Sequence, residues 1–224
     1  SNEIDLGSVR QLIGAVKSAY PLAQRYYALK RRLLGVETLY DYDRYAPIEK
    51  TDSPVDFKTC KAIILEGYYD FSDEAGKVVE QFFEKNWIDA EIRDGKQGGG
   101  FCCATTETLH PYILVHYTGT LRDVMTLAHE LGHGLHQMLA RKAGILEMHA
   151  PLTMAETASV FGEMLIFEKI LSREKNPSKK LELVCGKIDD NFATVFRQIA
   201  MTEFELAAHE AGLRLAPGDR RGAL

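Results

Sequence analysis

Apolar residues recur at helical spacing through most of this 224-residue chain, and only two short runs carry the β-branched and aromatic character of strands. Val9, Leu12, Ile13, Val16, Ala19, Leu22, Ala23, Tyr26, Tyr27 and Leu33 predict a long helix from Val9 to Leu34, kinked or divided at Pro21. The basic triplet Lys30-Arg31-Arg32 near its end suits the negative helix terminus and reads as a solvated face. A tyrosine-rich loop, Asp41 to Asp52, precedes two further helical patterns, Asp56 to Tyr69 and Asp73 to Trp87. Asp94 to Gly100 is a charged, glycine-rich turn. No Lys-Ser/Thr follows its three glycines at phosphate-loop spacing, so they suit a tight turn or a close approach of backbone. Phe101 to Thr105 and Pro111 to Tyr117 predict a short antiparallel pair. Helices follow from Leu121, from about Met154 and, after the break at Asn176-Pro177, from about Ser178 to Leu213. The expected fold is mainly α, with a small antiparallel sheet of two to four strands beside the helix that starts at Leu121.

That helix carries the chemistry. Thr120-Leu121-Arg122-Asp123 has a capping-box pattern, and Val124, Leu127, Ala128, Leu131 and Leu135 continue an apolar face. Within it stands His129-Glu130-Leu131-Gly132-His133. Two histidines four apart lie about 40° apart around a helix, close enough to share one metal ion. A glutamate directly after the first histidine is placed to act as base on a metal-activated water. The alternative is a helix with two ordinary histidines. Flanking apolar residues predict burial, however, and buried polar groups need partners. Gly132 and Gly134 weaken a helix by roughly 1 kcal/mol each relative to alanine, which suggests that something packs closely there.

A zinc site needs a third protein ligand, and Glu156 is the best candidate: an acid in the first turns of an otherwise apolar helix. The competing reading is a carboxylate favouring a helix N-terminus. Glu163, two turns further on the same face, either holds a ligating histidine from behind or faces solvent. His136 reads as an outer-shell or core histidine rather than a fourth ligand. His110 is a substrate-facing or a loop residue, and His149 borders the cleft or lies on the surface. The strand leading into the helix would offer an edge for pairing with a peptide backbone.

The runs His110-Pro111-Tyr112-Ile113-Leu114, Tyr117-Thr118-Gly119-Thr120-Leu121, Thr126-Leu127-Ala128-His129-Glu130-Leu131-Gly132-His133 and Ala155-Glu156-Thr157-Ala158-Ser159 resemble the oligoendopeptidase F branch of the thimet oligopeptidase family. So does Tyr42-Asp43-Arg44-Tyr45-Ala46-Pro47. The resemblance implies a zincin-like helical catalytic core binding one Zn²⁺ through His129, His133 and Glu156. It further implies Glu130 as catalytic base and acid and cleavage of short oligopeptides. From local position alone, Glu163 and His136 are the candidates for a place behind the ligands, and His110 and Tyr112 for contact with substrate. Family members carry a helical region before this part and a tyrosine- and histidine-rich segment after it, whereas no tyrosine follows Tyr117 here. The expectation is a single catalytic core over 1–224, incomplete at both ends, weakly active alone and prone to self-association. The alternative is a zinc-binding but catalytically silent peptide-binding or assembly domain.

Composition narrows the partners. A formal net charge of −5 and a pI near 5.8 argue against nucleic acid or anionic membrane. No apolar run approaches the roughly 20 residues that span a bilayer. Cys60, Cys102, Cys103 and Cys185 are too few and too irregular for a disulfide framework, so a reducing cytoplasm is the expected setting and a cysteine nucleophile the minor possibility.

Overall fold

The computed structural model describes residues 3–48, 54–96 and 98–211. The chain is 67% helical with a small mixed sheet. Its helices are α1 (Leu6–Ser18), α2 (Tyr20–Leu34), α3 (Phe57–Phe71), α4 (Asp73–Glu84), α5 (Leu121–Ala140), α6 (Leu152–Arg173), α7 (Pro177–Asn191) and α8 (Gln198–Glu210), and its strands are β1 (Ile88–Asp89), β2 (Gly100–Cys103) and β3 (Tyr112–Val115). The pattern predicted as one helix from Val9 is divided at Ala19. Pro21 sits in the first turn of α2, where its missing N–H costs nothing. The predicted last helix is interrupted by a π-helical stretch, Phe192–Arg197, and its expected end beyond Ala211 lies outside the described residues, as does the end of the Asp41–Asp52 loop.

Helix starts are fixed locally. The Asp56 side chain accepts from Thr59 N at 2.7 Å, and Ser72 caps α4 through Ala75 N. At α5 the capping box is complete: Thr120 accepts from Asp123 N, and Asp123 accepts from Thr120 N at 2.9 Å. Asp123 also takes the Thr118 N–H, tying β3's exit to the helix.

The chain forms two compact units, one within Thr51–Lys180 and the other within Ile4–Lys50 and Leu181–Leu224. In the first, the core joins Ile64 and Tyr68 of α3, Val79 and Phe82 of α4, Ile113 and Val115 of β3, Val124, Leu127 and Leu131 of α5, and Ile166 of α6. Strand order is β1-β3-β2. The predicted pair is present and antiparallel, with Gly100 opposite Val115 and Cys103 opposite Tyr112. The sheet is mixed rather than purely antiparallel, because β1 adds itself parallel to β3. Two residues are too few to show a period, so β1 left no mark in the sequence pattern.

The second unit packs Tyr26, Cys185 and Phe192 into a smaller core. Here Lys30 departs from the expected solvated face. It is 1% exposed, and its ammonium donates to Asp189 Oδ2 and to the Arg44 carbonyl, each at 2.5 Å. Among the described residues no helix is long and apolar enough to cross a bilayer.

Candidate metal centre

Two helix crossings build the site. At Gly132, α5 meets α6 so closely that a Cβ would stand 2.7 Å from Ser159 Cα. At Gly134, a Cβ would stand 2.7 Å from the Phe82 ring. Both glycines therefore serve contact, as their helix-weakening cost suggested. The α5–α6 crossing puts Glu156 opposite the two histidines.

The ligand atoms of His129, His133 and Glu156 lie within 4.8 Å of one another. His129 Nε2 is 3.3 Å from Glu156 Oε2, and His133 Nε2 is 3.6 Å from Glu156 Oε1. Ligands held at Zn–N and Zn–O distances around a tetrahedral centre are separated by about 3.3 Å, so the group fits zinc with one position left open. Behind it, His129 Nδ1 is 3.3 Å from Glu163 Oε2, the arrangement that fixes which ring nitrogen faces a metal. Ser159, fully buried, donates to Glu156 Oε2 at 2.9 Å and to the Glu156 carbonyl at 3.0 Å. Sequence reasoning missed Ser159. Its only signal was a hydroxyl three residues after Glu156 in an apolar helix.

Glu130 is 6% exposed. Burial pushes its carboxyl up to about 7, with the nearby His129 opposing the shift and Glu156 adding to it. A base poised near neutrality is suited to taking and returning a proton. His129 is raised, chiefly by its hydrogen bond to Glu163, and His133 is lowered by burial. Strand β2 runs along α5. A Cβ at Gly100 would stand 3.0 Å from Glu130 Oε1, while Cys102 Sγ reaches Gln137 Oε1 at 3.4 Å. Glu130 thus lies directly against an edge strand.

The remaining candidates are dispersed. His136 lies outside the three-residue cluster and lines a cavity with His133 and His149. His110 stacks on Trp87 with ring centroids 4.0 Å apart and contacts Tyr112 at 4.3 Å; Tyr112 is 45% exposed. Cys102 is half-buried, and burial holds its thiol far above the usual range, which disfavours the thiolate a nucleophile requires.

Residues 2–215 match the model of peptidase family M3, and the chain belongs to that family. It is 31% identical over 201 residues to the oligoendopeptidase F homolog of Lactococcus lactis subsp. lactis, covering 89% of this chain and 33% of that protein. It is also 31% identical over 214 residues to the oligoendopeptidase F homolog of Borreliella burgdorferi, covering 94% and 36%. Among solved structures, a protein of Chlamydophila abortus described as a peptidase superposes with a TM-score of 0.81 at 30% identity, covering 94% of this chain and 36% of that one. PZ peptidase A shares the fold, with a TM-score of 0.78 at 23% identity and coverage of 92% and 37%. The chain spans about a third of the length of these relatives.

Proposed function

We propose that this chain is the core of a zinc-dependent endopeptidase that hydrolyses short oligopeptides. The observation that carries the reading is the cluster of His129, His133 and Glu156 with a buried Glu130 beside it. His129, His133 and Glu156 would hold the ion, with Glu163 orienting His129 and Ser159 orienting Glu156. Zinc, when bound, would make water acidic and stabilise negative charge on the scissile carbonyl oxygen. Glu130 takes the proton of the attacking water and hands it to the leaving amine. The free edge of β2 pairs with the peptide backbone and holds it over Glu130, the strand-addition mode of recognition. His110 and Tyr112 border the far end of that strand and contact substrate side chains. The names of the relatives support oligopeptides as substrates, and a cytoplasmic setting fits the four unpaired thiols.

The competing reading is a zinc site with peptide affinity but little turnover. Turnover of a quenched fluorescent oligopeptide separates the two. Hydrolysis that a chelator stops, that zinc restores and that Glu130→Gln abolishes with zinc still bound supports the enzyme. Stoichiometric zinc with no hydrolysis supports the silent domain.

A further inference from the structure

Beside the metal cluster lies a recess of mixed polar and apolar lining that hydrolysis itself does not require. This cavity of about 80 Å³ is bounded by His133, His136 and Gln137 on α5, His149 and Ala150 in the turn before α6, and Ala155 in the first turns of α6. Its walls present imidazole and carboxamide groups beside the apolar Met148, Ala150 and Ala155, and none of the lining residues is a carboxylate; the nearby Glu156 faces His133 Nε2 at 3.6 Å. Among the described residues the rings of His136 and His149 make no hydrogen bond, so their N–H groups remain available. The 22-residue α6 starts at Leu152 with no side-chain cap and no acid in its first turn, so its partial positive end lies beside Ala150 and Ala155, with Glu156 the first acid along the helix.

The recess is also continuous with the catalytic parts. One wall is the candidate ligand His133. Another is Gln137, whose amide donates to the Cys102 carbonyl of edge strand β2 at 3.5 Å. A peptide laid along β2 past the metal would therefore bring a group to its mouth. The volume admits several waters, and so a short polar stem, but not an aromatic ring.

We propose that this recess is a substrate subsite for a carboxylate, supplied by an Asp or Glu side chain of the peptide or by its C-terminus. The proposal rests on the peptidase reading and adds a specificity to it. His136 and His149 are its specificity-determining residues, donating N–H groups to the carboxylate oxygens, a charge-assisted interaction.

The test uses the zinc-loaded Glu130→Gln chain, which holds peptide without cutting it, with zinc content measured beforehand. Fluorescein-labelled oligopeptides are titrated by anisotropy, with Asp or Glu exchanged for Asn or Gln at each position in turn, and with free or amidated C-termini. At one position the carboxylate peptide should bind about tenfold more tightly than its amide, the order conferred by one charge-assisted hydrogen bond. An advantage at an internal position identifies a side-chain carboxylate. An advantage lost on amidation identifies the C-terminus. His149→Ala, in an exposed turn, and His136→Leu should each erase the preference while zinc stays stoichiometric. Peptide binding without carboxylate preference, or with a preference untouched by both substitutions, overturns the subsite and leaves the peptidase reading standing. Absence of peptide binding by the zinc-loaded protein overturns both.

Discussion

Gly132 faces the Ala158 carbonyl so closely that a Cβ there would stand 2.5 Å from the oxygen. The obstacle is backbone, which cannot rotate aside as a side-chain tip can. Gly132→Ala gains roughly 1 kcal/mol of helix propensity but forces α5 and α6 apart, an overpacking cost of about 1–3 kcal/mol. Because the same crossing sets Glu156 opposite His129 and His133, the variant should show a lower Tm and weaker zinc binding together. Gly186 in α7 has nothing within 4 Å of its Cβ position, so Gly186→Ala serves as the control and should stabilise by up to about 1 kcal/mol. Equal Tm shifts for the two variants in calorimetry would refute the close contact at Gly132.

Glu163 gives His129 an anionic partner on the side away from Glu156, at 3.3 Å. Glu163→Gln keeps the shape and removes the charge, so zinc affinity should fall about 10–100-fold, the usual loss when such a partner is removed. Competition against a chromophoric chelator measures this. Unchanged affinity would show that His129 is held by its own packing.

The motif helix was legible because its information is local. The capping box at Thr120 and Asp123, the apolar period, the close packing at Gly132 and Gly134 and the spacing of His129 and His133 all fall within about twenty residues and were read from them. Glu156 was legible as an acid out of place in an apolar helix. What escaped depends on groups that meet only in three dimensions, or on elements too short to show a pattern. The seat of Ser159 is created by the α5–α6 crossing, and β1 owes its strand character to β3. Lys30 looked solvated because its basic neighbours are; its partner Asp189 lies 159 positions away.

That pair is a stability determinant of the second unit. Lys30 and Asp189 have side chains only 1% and 7% exposed. Lys30→Met leaves a buried carboxylate without its cation and should destabilise by about 3–5 kcal/mol in urea unfolding. The double variant Lys30→Met/Asp189→Leu removes both charges and should recover most of that loss. A double variant as unstable as the single one would mean that the Lys30 bond to the Arg44 carbonyl, not the ion pair, carries the effect.

The buried carboxyl of Glu130 should contribute less to the stability of the metal-free protein as pH rises. Its folded value, pushed up to about 7, lies above the ordinary 4.5 that applies when the chain is unfolded. Between these values the folded state holds a proton that the unfolded state has released, so the Glu130 contribution to stability is fully present below about 4.5, falls as pH rises, and is lost above about 7. A shift of this size corresponds to up to about 3 kcal/mol. Glu130→Gln keeps the shape of the protonated acid and cannot ionise. Metal-free Glu130→Gln should therefore match the parent at pH 4.5 and exceed its Tm at pH 8. Melting curves of both proteins across this range, with chelator present, give the comparison. The Glu130 charge also helps to raise His129, so the difference between the two proteins reports the Glu130 carboxylate together with its effect on that neighbour. Parallel curves would show that Glu130 ionises at its ordinary value and is not poised as a base.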